Sequence, residues 1–90
     1  MFITSSPRER KSAGFRWTEF LNGGAITSWD FEPLHEELQE IATSFDDEDN
    51  KTMIMWTGGV PGTQYTITGW ISVDDGRKEY ESFTVLVIPN

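Results

Sequence analysis

Ninety residues and 10.3 kDa make one small domain, and 37% hydrophobic with 24% charged residues make it globular rather than disordered. With no cysteine and one histidine, disulfides, thiolate-bound zinc, a thiol nucleophile and any two-imidazole site are excluded. No apolar run approaches the roughly 20 residues of a membrane span, and the N-terminus lacks the apolar stretch of a secretory leader.

The net charge of −8 is unevenly divided. Residues 1–16 carry Arg8, Arg10, Lys11 and Arg16 against Glu9, while residues 17–90 hold the other fourteen acids and only Lys51, Arg77 and Lys78. A basic start precedes an acidic body that repels nucleic acid and anionic membrane. Residues 1–14 therefore read as an arm, with Phe2 and Ile3 as an apolar tip and Arg8, Arg10 and Lys11 as the charged part. The arm either folds onto its own body or reaches the acidic body of a neighbour. Residues 15–90 form the domain.

From Phe15, apolar and polar residues alternate as in a half-buried strand. A single helical turn after it places Trp17, Phe20 and Leu21 on one face, and Asn22-Gly23-Gly24 stops it. Ala25 to Phe31 reads as a strand with Ala25, Thr27, Trp29 and Phe31 on one face, ended by Pro33. Residues 34–45 are ambiguous. Leu34, Leu38, Ile41, Ala42 and Phe45 follow a helical stripe, yet Ile41, Thr43 and Phe45 alternate as a strand does.

After the acidic turn Asp46–Asn50, Thr52 to Trp56 is apolar on both faces and so predicts a central strand. Thr57-Gly58-Gly59-Val60-Pro61-Gly62 is a loop, read as carrying the chain between two sheets. Thr63 to Val73 alternates, with Tyr65, Ile67, Ile71 and Val73 on one face and Thr66, Thr68, Trp70 and Ser72 on the other. Asp74-Asp75-Gly76-Arg77 is a hairpin turn in which Gly76 supplies positive φ. The returning strand, residues 79–88, puts Phe83, Val85 and Val87 inward. Short strands divided by Gly-rich turns predict an all-β sandwich.

The acids at 46–49 are contiguous, without the alternation and central glycine of a calcium loop. Gly58–Gly62 lacks the Lys-Ser/Thr tail of a phosphate loop. His35 has no nucleophile beside it, and no serine has the context of an activated one. No catalytic residue, cofactor site or metal site is therefore expected. Trp17, Trp29 and Trp56 lie on apolar-patterned segments and read as core. Trp70 stands on a Thr-rich face and reads as an exposed anchor for a partner.

Three segments resemble, in order, a family of small tailed-phage structural proteins called fiber–tail adaptors. They are Phe15-Arg16-Trp17-Thr18-Glu19-Phe20-Leu21 with Ile26-Thr27-Ser28-Trp29, then Met55 to Thr68 around Trp56-Thr57-Gly58-Gly59, then Gly76-Arg77-Lys78-Glu79 with Ser82-Phe83-Thr84-Val85. The family's second tryptophan is Phe20 here, and its Ala-Gly-Arg hairpin is Asp75-Gly76-Arg77. The resemblance implies an immunoglobulin-like antiparallel β-sandwich with an extended N-terminal arm, and a strand rather than a helix over residues 38–45. It also implies a non-enzymatic virion subunit assembled in the host cytoplasm. Its expected partners are other phage structural proteins, met in many copies of a symmetric assembly, with no nucleic acid and no membrane. Two alternatives keep the fold and change the partner: a capsid decoration protein, or a carbohydrate-binding module using Trp70. An acidic mimic of DNA is a further class, opposed by the clustering of the acids at 32–40 and 46–49.

Overall fold

The computed structural model describes residues 2–89, which form seven strands, one helical turn and two facing sheets. In chain order the elements are β1 (Phe2–Ser5), β2 (Lys11–Arg16), α1 (Thr18–Leu21), β3 (Ile26–Phe31), β4 (Leu38–Asp46), β5 (Lys51–Gly58), β6 (Gln64–Val73) and β7 (Lys78–Val87). The larger sheet has the order β1-β7-β6-β3 and the smaller β2-β5-β4. All pairings are antiparallel except β1 with β7. The molecule is elongated, 44 × 20 × 18 Å.

The alternation of burial along β5, β6 and β7 shows why these segments are strands. Thr52, Ile54 and Trp56 from one sheet face Tyr65, Ile67, Ile71, Val73, Phe83, Val85 and Val87 from the other. Rings fill the space between: Phe15 packs on Trp17, Phe31 and Phe83, and Trp56 packs on Phe83. Two-sided apolar β5 is the centre of its sheet, as its composition predicts. The Gly58–Gly62 loop does carry the chain from one sheet to the other.

Residues 38–46 are a strand, with Leu38 buried and Ile41, Thr43 and Phe45 half-buried in alternation. The local pattern is compatible with a helix. The strand prevails because β5 has two hydrogen-bonding edges, and only an extended segment satisfies the second. A bulge between Glu40 and Ala42 lets the inward residues realign.

Residues 2–14 are laid along both sheets, the first of the two courses open to the arm, and residue 14 lies inside β2. Phe2–Ser5 add a parallel strand to the edge of β7, and Lys11–Arg16 pair with β5 in the opposite sheet. Few apolar residues suffice here because backbone pairing supplies the attachment: Ile88 donates to Ser5 O at 2.8 Å, and Gly58 to Pro7 O at 3.1 Å. Met1 lies outside the described residues. The β3 face differs from the expected one. A register shift between Ile26 and Ser28 leaves Thr27 exposed, so Ile26 joins Trp29 and Phe31 inside, and Ala25 precedes the strand.

Candidate docking surface

The outer face of the larger sheet follows from strand periodicity. Since Phe83, Val85, Ile67 and Ile71 point inward, their alternates point out. The hairpin register sets Trp70 directly across from Tyr80, with Asp30 on the other side of Trp70. Trp70 is half-buried, Tyr80 is 50% exposed, and the Lys78 ammonium lies 4.0 Å from the Trp70 ring centroid and 5.6 Å from that of Tyr80. Lys78 therefore bridges two rings by cation–π attraction. Further along the same face Phe2, 56% exposed, sits beside Thr84. The positions between are Gln64, Thr66, Thr68, Ser72, Ser82 and Leu86. Among the described residues the charges on this face are few: Lys78, Asp30 and, at its margin opposite Thr68, Glu32, in a chain with net charge −8.

The six residues singled out by sequence divide. Phe2 and Trp70 share this face. Ile3 does not: it turns inward opposite Val85 and, half-buried, packs against the core. Arg8 and Arg10 are exposed on the connector between β1 and β2, away from this face. Lys11 is half-buried and pairs with Glu9 at 3.7 Å. Tyr80 and Lys78 escaped the sequence reading. Their signal was present: both are out of phase with Phe83, and the turn at Asp74–Arg77 fixes Tyr80 opposite Trp70.

The glycine loop is tied by hydrogen bonds to β6, β7 and residue 37. The Tyr65 hydroxyl accepts from Val60 N at 2.9 Å and donates to Glu37 Oε1 at 2.8 Å, and Gly59 N donates to Glu37 O at 2.9 Å. His35 lies edge-on to Tyr65, 5.3 Å between centroids, with Nδ1 accepting from Glu37 N. A half-open hollow of about 460 Å³ beside α1 is lined by Arg16, Thr18, Glu19, Phe20 and Glu81. No group of three or more His, Cys, Asp or Glu residues suited to a metal ion occurs among the described residues, and no helix is long and apolar enough to cross a membrane.

No curated protein matches the sequence significantly. The fold is similar to the solution structure of the PKD domain from KIAA 1837 protein, with a TM-score of 0.55 and 13% identity, over 99% of this chain and 79% of that one. This is an immunoglobulin-like sandwich. A family model, described as podophage GP4 fiber-tail adaptor protein gp77, matches residues 6–86. The match spans both sheets, the glycine loop and the hairpin, and so this chain belongs to the podophage fiber–tail adaptor family.

Proposed function

We propose that this chain is a non-enzymatic tail adaptor of a phage particle, and that other virion proteins dock on the outer face of its β1-β7-β6-β3 sheet. The observation that supports the docking face is its composition. Phe2, Tyr80 and Trp70 project from a surface with few charges, in a chain whose net charge is −8. Interface centres are depleted in charge and enriched in aromatic residues in this way. Assembly takes place in the host cytoplasm, in multiple copies, without nucleic acid or membrane as partners.

The carbohydrate alternative draws on the adjacent Trp70 and Tyr80 rings. It is the weaker reading, because the Lys78 ammonium occupies the ring face on which a sugar would stack. Imaging an intact particle at residue resolution tests the proposal. A tail location with this sheet face against a neighbour is expected. Hundreds of copies on the capsid shell would instead make the chain a decoration protein. In a complementation assay, Trp70→Ala with Tyr80→Ala lowers incorporation into particles at least about tenfold, if each ring contributes the roughly 1 kcal/mol or more typical of interface anchors. Unchanged incorporation would exclude this face.

A further inference from the structure

The smaller sheet has edges of opposite charge. Its β2 edge presents Lys11 and Arg16, with Arg8, Glu9 and Arg10 on the connector before it, and its β4 edge presents Glu40 and Asp46, with Glu36 and Glu37 before it and Asp47, Glu48 and Asp49 in the turn after it. Because β2 and β4 both run antiparallel to β5, they run parallel to each other. The register aligns their charges in level rows. Lys11 and Glu40 are both partners of Trp56, and Arg16 and Asp46 are both partners of Lys51. Lys11 to Arg16 is one residue shorter than Glu40 to Asp46, and the bulge after Glu40 absorbs the difference.

We infer that copies of this chain join side by side through these edges, β2 of one against β4 of the next, with Lys11 beside Glu40 and Arg16 beside Asp46 across the seam. This rests on the multi-copy assembly proposed above and names the surfaces that join the copies. Continuing the sheet would set the two strands about 4.8 Å apart, within reach of both charge pairs. Both edges have unused backbone donors and acceptors, since each strand pairs on one side only. The charges are also largely unspent within one copy. Among the described residues, Arg8, Arg10, Glu36, Glu40, Asp47 and Glu48 make no ion pair, Arg16 has only an exposed contact with Asp49 at 3.8 Å, and Lys11 has one with its near neighbour Glu9 at 3.7 Å. The contact is head-to-tail, so it propagates beyond a dimer.

Sedimentation velocity on the full chain tests this. The wild-type protein is expected to gain mass with concentration and to pass the dimer. K11E/R16E sets acids opposite Glu40 and Asp46 at the seam, and E40K/D46K sets lysines opposite Lys11 and Arg16, so each alone is expected to sediment as a monomer. Their equimolar mixture is expected to recover masses above a dimer. Because Asp46 also accepts the Glu48 and Asp49 amides of the turn, the single pair K11E with E40K serves if E40K/D46K loses its circular-dichroism signature. A wild-type monomer at all concentrations, association that stops at two copies, or a mixture that stays monomeric overturns the edge contact. None of these results bears on whether the chain resides in the tail, which imaging decides separately.

Discussion

At the residue scale, a polar ring nitrogen buried in the sandwich depends on a single partner. Trp17 is fully buried and its Nε1 donates to the Thr52 hydroxyl at 2.9 Å. Thr52→Val keeps the volume and leaves that donor without an acceptor, so a loss of about 1–3 kcal/mol is expected in urea unfolding. Backbone conformation makes a second prediction. Gly59 and Gly62 both hold positive φ, +100° and +85°. A Cβ at Gly59 would approach Val87 Cγ2 to 2.6 Å, whereas one at Gly62 meets nothing within 4 Å. Gly62→Ala therefore suffers only the left-handed backbone, about 1–2 kcal/mol. Gly59→Ala adds a clash with the core and is expected to lower the unfolding midpoint further. Equal midpoints for the two variants would contradict this packing.

At the element scale, one side chain ties the hairpin to the helical turn. The Arg77 guanidinium donates to the Phe20 and Leu21 carbonyls, both at 3.1 Å, and to Asp75 at 2.6 Å. The carbonyls at the end of so short a helix need donors from outside it: Leu21 O accepts from Gly24 N at 2.8 Å, and Arg77 donates to both Phe20 O and Leu21 O. The Arg77 amide and guanidinium hold the Asp75 carboxyl below its ordinary value of 3.8. A carboxylate depressed in the folded state stabilises above its unfolded value, and the contribution disappears as pH falls through the lower folded value. Arg77→Ala is therefore expected to unfold more easily at neutral pH and to lose less of its remaining stability on acidification. Urea midpoints for both proteins across the carboxylate range check the sign; parallel profiles would show that Arg77 does not act through Asp75.

At the scale of the whole molecule, the N-terminal segment changes meaning once its pairing is known. If it were an arm, deleting residues 1–12 would spare the body. Because β1 covers the edge of β7 and β2 that of β5, the deletion strips a strand from one sheet and shortens the edge of the other. Thermal unfolding of the truncated chain is expected to shift well below that of the full chain, with dye binding at the newly exposed β7 edge. An unchanged transition would restore the arm. The same reasoning makes the charge variants at Lys11 and Arg16 a better probe of assembly than truncation.

The sequence by itself determined the elements whose signal is local. Alternation in residues 63–73 and 79–88, glycine at the turns, and the two-sided apolarity of β5 specified a sandwich. Trp17, Phe20 and Leu21 likewise announced their helical turn. The tertiary structure decided what depends on a distant strand. Residues 38–46 became extended because β5 offered an open edge. Residues 2–5 became a strand because β7 did, although their own side chains bury little. Thr27 was pushed outward by a bulge that only the pairing with β6 reveals. Tyr80 became part of a surface through the hairpin that brings it opposite Trp70. The physical reason is common to all four. A strand's hydrogen bonds lie between segments, so a short sequence fixes which faces are apolar but not which backbone completes it.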